Sequence, residues 1–313
     1  MLKKKLLIII GGLIFLVLLA LIIAMNFLST VKPLLTGQAD KIKVTASFYP
    51  LYFFAGVIGG QRAIVSNITP AGTEPHDYEP TAADMIQIET SRLLILNGGG
   101  LETWTQNIKQ NINFRQTLVI RAGENLTNQG INKNNQEIVD PHVWLSPVLA
   151  QQMVDKITRG FIAVDPANQI YYQANADKLK IQLTQLDEEY VRGLSHCSHQ
   201  DIVTAHAAFA YLAFQYHFNQ LPIAGLSPEA EPAPQQLINI IQLVKSRQIK
   251  YIFFESLVSP KLAQMIAQEV GAQTLILNPL EGLTATEVAQ NQNYFTVMRA
   301  NLVNLQKALE CQL

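Results

Sequence analysis

The chain has 313 residues, enough for two domains of ordinary size with a sizeable core. Its net charge of −1 excludes the strongly basic proteins, and nothing in its composition indicates a nucleic-acid partner. Four of the 23 basic residues, and none of the 24 acidic ones, lie in residues 1–39, so the remainder is mildly acidic and compatible with a cationic ligand.

An export segment is predicted at the N-terminus. Lys3 to Lys5 precede an almost unbroken apolar run over residues 6–25, the pattern of an export signal. The run is also long enough to span a bilayer of about 30 Å, so an uncleaved anchor and an atypical signal both remain open. In either case residues 1–43 form a signal or anchor and a tether, and the body lies outside, in the periplasm or on the outer face of the cytoplasmic membrane.

Strands and helices alternate from Val44 onward, which predicts parallel sheets. Residues 121–139, rich in Asn, Gln and Gly, are predicted to form a mobile surface loop. In the first half, strands are predicted at residues 44–48, 63–68, 93–96 and 117–120, and helices at 51–58, 81–90, 101–112 and 147–161. In the second half, strands are predicted at 201–205, 221–226, 251–254 and 274–277, and helices at 207–216, 235–245, 260–270 and 294–309.

A long amphipathic pattern over residues 166–193 predicts a helix of about 42 Å. Because it lies between two halves rich in strands and helices, we interpret it as a rigid strut joining two lobes, residues 44–165 and 194–313. An ordinary surface helix of one large domain is the alternative. The predicted fold class is therefore α/β, with two lobes that are each a mostly parallel sheet flanked by helices.

The two cysteines, Cys197 and Cys311, lie in the second half. In an oxidising compartment they could form a disulfide that pins the last helix to its domain. Two unrelated free thiols are the alternative.

Three histidines follow predicted strands, at the sheet edge where open α/β folds bind ligands. His76 lies in a proline-stiffened loop, His142 in the segment 140–144, and His206 directly after a strand. Neutral imidazole is a good ligand for zinc-like ions, and three imidazoles leave one position for a carboxylate or a water. The convergence of the three histidines therefore predicts a metal site.

The fourth ligand is also expected from a strand end. Glu281, in the loop after the strand at 274–277, is the first choice, and Glu255, which ends its own strand, is the second. Asp140 precedes His142 by two residues and is better suited to hydrogen-bond a ligand than to be one.

Six stretches of the chain resemble the metal-binding subunit of bacterial zinc and manganese ABC importers, solute-binding protein family 9. They are, in chain order, Thr45–Leu51, Glu74–Pro80, Asp140–Trp144, Thr204–Tyr211, Gly225–Pro232 and Asn278–Thr284. The resemblance implies two lobes joined by a rigid helix, with one metal ion in the cleft between them.

The resemblance also implies a ligand set. His76, His142 and His206 would be ligands, and since the manganese members carry a glutamate where His206 stands, the chain is similar to the zinc branch. Many members place an aspartate ligand where Asn278 stands, and an amide is a poor zinc ligand, so Asn278 is at most an alternative ligand. Some zinc members share the Asn-Pro-Leu-Glu run and use its glutamate, which favours Glu281.

The function implied is that of a monomeric extracytoplasmic receptor, not an enzyme, which captures Zn²⁺ and delivers it to an ABC permease in the cytoplasmic membrane. A manganese or iron receptor of the same type is one alternative. A zinc-dependent hydrolase, with Glu255 as its base, is another. A third is an anchored adhesion protein in which the metal is structural.

Overall fold

The computed structural model describes residues 41–108, 116–126, 130–133, 136–230 and 232–312, with residues 12, 16–23 and 25 of the N-terminal segment. The chain divides into two units, residues 1–41 and residues 42–313. The predicted signal or anchor at residues 6–25 lies partly outside the described residues, and those of its residues that are described are helical and exposed. Within the described part of the chain, no helix is both long and apolar enough to cross a bilayer.

Two parallel four-stranded sheets organise residues 42–313. The first contains β1 (Ile42–Ala46), β2 (Ala63–Asn67), β3 (Leu93–Leu96) and β4 (Leu118–Arg121), in the order β2-β1-β3-β4. A separate antiparallel pair follows, β5 (Gly130–Lys133) and β6 (Gln136–Val139). The second sheet contains β7 (Asp201–Thr204), β8 (Asn219–Pro222), β9 (Tyr251–Phe254) and β10 (Gln273–Ile276), in the order β10-β9-β7-β8. The predicted fold class is confirmed.

Helices alternate with the strands, and local capping signals determine several of their first residues. Thr81 caps the helix that begins at Ala82 through a reciprocal pair of hydrogen bonds with Asp84, and Asn293 caps the helix that begins at Tyr294 in the same way with Thr296. The helices are α1 (Tyr49–Gly59), α2 (Ala82–Glu89), α3 (Thr105–Ile108), α4 (Pro147–Val164), α5 (Gln169–Gly193), α6 (Ala210–Tyr216), α7 (Pro234–Ser246), α8 (Lys261–Val270), α9 (Ala285–Ala289) and α10 (Tyr294–Leu309).

The long helix predicted over residues 166–193 is present as α5. It has 25 residues and is therefore about 38 Å long, with a 3₁₀ turn at Pro166–Asn168 before it. One face buries Tyr172, Leu179 and Leu186 completely. The helix contacts α1 and α4 of the first half and α10 of the second. The division into lobes at residues 44–165 and 194–313 stays a prediction.

One continuous apolar core extends through both halves. The ring of Phe48 packs edge-on against Trp144 at 4.7 Å between centroids, and Phe54 packs against Tyr294 at 4.9 Å. The Tyr294 hydroxyl donates to the carbonyl of Trp144 at 2.6 Å. Because Tyr294 begins the last helix while the other residues belong to the first half, these aromatic contacts join the halves.

One predicted element of the first half is wrong, and a second begins later than predicted. The predicted loop at residues 121–139 contains the β5–β6 pair, because ladder hydrogen bonds between backbones need no apolar alternation. The helix predicted at residues 101–112 is α3, which begins only at Thr105. Residues 109–112 lie outside the described chain. The Glu102 carboxylate accepts from the backbone N–H groups of Asn97 at 2.6 Å and Gly98 at 3.0 Å, and this turn delays the helix.

In the second half, the strand predicted at residues 221–226 is β8, which begins two residues earlier and ends four residues earlier. Parallel pairing against β7, with Asp201 opposite Asn219, sets its register. Helix α9 was not predicted, although Thr284 and Glu287 form a capping box at its start.

The predicted disulfide between Cys197 and Cys311 is confirmed. It joins the turn before β7 to the residues that follow α10. The backbone N–H of His199 also donates to the carbonyl of Leu309 at 3.0 Å, so the end of the last helix is held at two points.

Candidate metal centre

His76 lies in the loop between β2 and α2, which is held at several points. The backbone N–H of Gly72 donates to the carbonyl of Leu283 at 2.8 Å, tying this loop to the second half of the chain. The Glu74 carboxylate accepts from the backbone N–H of His76 at 3.0 Å. His76 is 9% exposed, whereas His142 and His206 are fully buried.

His142 follows the β5–β6 pair and is positioned by Asp140. One oxygen of Asp140 accepts from the backbone N–H of His142 at 2.9 Å and lies 2.7 Å from its Nδ1. The side-chain amide of Asn97 donates to the Pro141 carbonyl at 2.9 Å, which fixes the same segment from the sheet side. Because a carboxylate only accepts hydrogen bonds, Nδ1 carries the proton and Nε2 presents a lone pair.

His206 is held in the same way after β7. Glu255, at the end of β9, accepts from the backbone N–H of His206 at 3.1 Å and lies 2.7 Å from its Nδ1. Glu255 therefore holds the position relative to His206 that Asp140 holds relative to His142. It contacts the side of the ring that faces away from the other histidines.

Glu281 lies in the loop between β10 and α9 and is 1% exposed. Its Oε1 is 3.2 Å from Nε2 of His76, 3.1 Å from Nε2 of His142 and 3.2 Å from Nε2 of His206. Nε2 of His142 is in turn 3.2 Å from that of His76 and 3.3 Å from that of His206. All four ligand atoms lie within 4.8 Å of one another.

These separations match the dimensions of a zinc site. A tetrahedral zinc ion with bonds of about 2.0–2.1 Å keeps its ligand atoms about 3.3–3.4 Å apart. In the neutral histidines, Nε2 of His142 and His206 are acceptors, as is the Glu281 oxygen. Three acceptors that meet at a buried point repel one another unless a cation or protons lie between them.

Burial and the neighbouring charges shift the pKa values of three of the four residues. Burial lowers the pKa of His206, but the Glu281 and Glu255 carboxylates outweigh it and hold the pKa well above its usual value. Burial likewise opposes the Asp140 and Glu281 carboxylates at His142, where the net shift of the pKa is also upward. Burial would raise the pKa of Glu281, yet the charge of His206 and the imidazole hydrogen bonds hold it well below its usual range.

Asn278 lies outside the four-residue cluster. Its side chain is hydrogen-bonded to Ser256, to Glu287 and to the backbone N–H of Leu280.

Glu74 was missed by the sequence analysis as a residue of this site. Burial, followed by the charge of Glu281, raises the pKa of Glu74 to about 8. The signal was present in the sequence, because Glu74-Pro75-His76 repeats the acid-Pro-His order of the segment that begins at Asp140.

Comparison with protein families identifies the chain. The family model described as zinc-uptake complex component A, periplasmic (ZnuA), matches residues 44–308. The chain belongs to this family. The resemblance found in the sequence is therefore confirmed.

Individual ZnuA-type proteins are similar over most of the chain. It is 36% identical over 285 residues to the zinc-binding protein AdcA of Streptococcus pyogenes serotype M3, a match covering 85% of this chain and 55% of AdcA. The chain thus spans about half the length of that relative. It is 34% identical over 292 residues to the high-affinity zinc uptake system protein ZnuA of Bacillus subtilis, a match covering 90% of this chain and 92% of the relative. The crystal structure of the Zn(II)-bound ZnuA-like domain of Streptococcus pneumoniae AdcA superposes with a TM-score of 0.75 at 35% identity, covering 86% of this chain and 99% of that domain.

Proposed function

We propose that the chain is the receptor of a zinc ABC importer. It captures Zn²⁺ through His76, His142, His206 and Glu281 and delivers the ion to a permease in the cytoplasmic membrane. The observation that carries the proposal is that five of the six ligand-atom separations among three imidazoles and one carboxylate are 3.1–3.3 Å, with all four atoms within 4.8 Å. The zinc-binding relatives support the choice of metal.

The charge of the site suits a divalent ion. Zn²⁺ and the Glu281 carboxylate together leave a net charge of about +1, which is costly in a buried site. Asp140 and Glu255, each hydrogen-bonded to the outer nitrogen of a histidine, offset this charge without occupying coordination positions. Capture is thus favoured by electrostatics as well as by geometry.

A receptor fits these residues better than a hydrolase does. Four protein ligands complete a tetrahedral shell, whereas a catalytic zinc keeps one position open for water. Glu255, the base that the hydrolase alternative requires, is engaged by both the backbone and the ring of His206. We therefore propose that the chain is not an enzyme.

Zinc is favoured over manganese by the donor types. Three imidazole nitrogens suit zinc, whereas manganese prefers sites dominated by oxygen ligands. His206 is the residue that decides this, since a glutamate there would give two carboxylates and two imidazoles.

We further propose that the receptor works as a monomer on the extracytoplasmic side of the membrane. The family description names the periplasm. The apolar run at residues 6–25 supports export. A permease is the partner expected for a component of an uptake complex.

Metal competition tests the proposal. The detergent-solubilised full chain is titrated with Zn²⁺ and with Mn²⁺ against a chromophoric chelator. We expect one Zn²⁺ per chain, weaker Mn²⁺ binding, and a large loss of zinc affinity in His142→Ala and Glu281→Gln. His206→Glu should move the preference towards Mn²⁺.

The control is His217→Ala, because His217 caps the end of α6 and is not part of the cluster. Its zinc affinity should equal that of the unmodified chain. Zinc binding that survives both His142→Ala and Glu281→Gln, or tighter binding of Mn²⁺ by the unmodified chain, would contradict the proposal.

A further inference from the structure

Leu280, the residue before Glu281, adopts an uncommon backbone conformation. Its φ is +57°, in the left-handed region, and its side chain is completely buried. A bulky residue is disfavoured there because Cβ approaches the backbone too closely. Such a conformation persists only where the surrounding structure imposes it, so the contacts around Leu280 must supply the constraint.

Part of this constraint comes from Asn278, beside the indole N–H of Trp144, which donates to the Pro279 carbonyl at 2.7 Å. The Asn278 Oδ1 accepts from the backbone N–H of Leu280 at 2.8 Å, which closes a tight turn over the strained residue. Asn278 is itself immobilised by Asn301 of α10. The Asn301 Oδ1 accepts from the backbone N–H of Asn278 at 2.9 Å, and its Nδ2 donates to the Asn278 carbonyl at 2.7 Å. Both asparagines are buried.

The amide group of Asn278 also ties the far end of the same loop. Its Nδ2 donates to Ser256 Oγ at 2.9 Å and to Glu287 Oε1 at 2.9 Å. The other oxygen of Glu287 accepts from the backbone N–H of Thr284 at 2.7 Å and from its hydroxyl at 2.9 Å. Residues 278–284 are therefore closed into a ring by side chains, and Glu281 lies in the middle of that ring.

An asparagine is the side chain that this network requires. It must accept from Leu280 and donate to Glu287 at the same time, and an amide does both. A carboxylate in its place would have no proton to donate and would meet the Glu287 carboxylate directly.

We propose that Asn278 is a positioning residue for the metal site. It acts through Leu280 and Glu287 to hold Glu281 with its Oε1 towards the three imidazoles, and it does not itself bind the ion. The inference rests on the proposed function, since it presumes that Glu281 is a zinc ligand. A carboxylate held in place in advance loses less conformational entropy when it binds the ion.

A double-mutant cycle tests this role. Zinc affinity is measured by chelator competition on the full chain for the unmodified protein, Asn278→Ala, Glu281→Ala and the double variant. Asn278→Ala should lose about 10- to 100-fold in affinity, the usual effect of removing a residue that orients a ligand. In the Glu281→Ala background the same change should have almost no effect. An equal loss in both backgrounds, or no loss in the first, overturns the inference.

The matched control is Asn304→Ala. Asn304 also lies on α10, where its half-buried side-chain amide donates to the carbonyl of Ile276 at 2.8 Å, outside residues 278–284. Its zinc affinity should not change. If Asn278→Ala does not fold, Glu287→Gln decides the matter, because a glutamine cannot accept from both Asn278 and Thr284. It should lose affinity only when Glu281 is present, and an unchanged affinity overturns the inference.

The same measurements separate this inference from the proposed function. If Glu281→Ala binds zinc as tightly as the unmodified chain, Glu281 is not a ligand and the proposed function is wrong in that respect. If Glu281→Ala weakens binding while Asn278→Ala and Glu287→Gln do not, only the positioning role is wrong.

Discussion

His142 and His206 come from different sheets yet share one construction. Each follows a strand. In each, a carboxylate oxygen lies 2.7 Å from Nδ1 of the histidine and also accepts a hydrogen bond from the backbone N–H of the same histidine. This pairing fixes the tautomer and the ring orientation, and it makes Nε2 a stronger donor to a metal. His76 differs, because Glu74 contacts only its backbone.

Neutralising one of these carboxylates should weaken zinc binding. Glu255→Gln keeps an oxygen that can accept from His206 but removes the negative charge, so we expect about a 10- to 100-fold loss of zinc affinity. Chelator competition measures it. The control is Glu269→Gln, since Glu269 is exposed and pairs with Lys245 on the surface. Equal affinities for the two variants would contradict this role of Glu255.

Zinc affinity should rise with pH. Because the pKa of His206 is raised and that of Glu281 is lowered, the metal-free protein holds an imidazolium beside a carboxylate near neutral pH. Zinc must displace that proton. Calorimetric titrations between pH 6 and pH 8, in buffers of different ionisation enthalpy, should show proton release and tighter binding at the higher pH. Affinity that does not depend on pH would contradict these shifts.

The same pKa shifts predict how the metal-free protein responds to pH. A histidine with a raised pKa stabilises the fold fully below its unfolded value of about 6.5, and this contribution is lost as the pH rises through the folded pKa. Glu281, whose pKa is lowered, stabilises the fold at any pH above the pKa of an unfolded glutamate. This contribution is lost as the pH falls through the lower pKa of the folded state. The melting temperature without metal should therefore fall as the pH rises above neutral, and the increase that zinc causes should grow. Thermal scans with and without zinc measure both trends.

The last helix, α10, is followed directly by a disulfide that closes a long loop of the chain. The disulfide joins residues 114 positions apart in the sequence. Closing so large a loop removes much of the conformational freedom of the unfolded chain. The disulfide connects the end of α10 to the turn before β7. Asn301 of α10 is also hydrogen-bonded to the backbone of Asn278, at the start of the loop that carries Glu281.

Removing the disulfide should lower stability without altering the metal site. For the double variant Cys197→Ser, Cys311→Ser we expect the free energy of unfolding to fall by about 2–5 kcal/mol. Denaturant unfolding measures this loss. Zinc affinity should stay within about twofold, since neither cysteine belongs to the ligand cluster. An unchanged midpoint would show that the bond does not constrain the unfolded chain.

At the scale of the whole molecule, the two halves are joined by packing as well as by a connecting segment. Helix α5 contacts helices of both halves, and Phe54 and Trp144 contact Tyr294. The ring of Trp144 also lies 5.1 Å from that of His142, so this packing reaches the metal centre. Such contacts oppose a large hinge movement.

Zinc should therefore order loops more than it rotates lobes. X-ray scattering of the metal-free and zinc-bound protein should show radii of gyration that agree to within about 1 Å, because a buried interface resists rigid-body closure. Hydrogen exchange should meanwhile slow in the loop that carries His76, the most exposed of the four residues. A fall of several Å in the radius of gyration would contradict this prediction.

Much of the architecture followed from the sequence. The alternation of strands and helices from Val44 onward predicted parallel sheets. Parallel strands end at one edge, so histidines that follow strands were expected to lie near one another. The two cysteines were predicted to pair with each other in an oxidising compartment. These inferences succeeded because periodicity and chain order determine them.

The tertiary structure alone decided the details of the site. Glu281 and Glu255 both follow strands of the second sheet, and local pattern could not separate their roles. Glu281 reaches the imidazoles through the left-handed turn at Leu280, whereas Glu255 contacts the outer nitrogen of His206. The contacts that hold these directions, such as Asn278 to Asn301, join residues far apart in sequence. Side-chain direction over about 3 Å depends on such long-range hydrogen bonds, and no local periodicity encodes them.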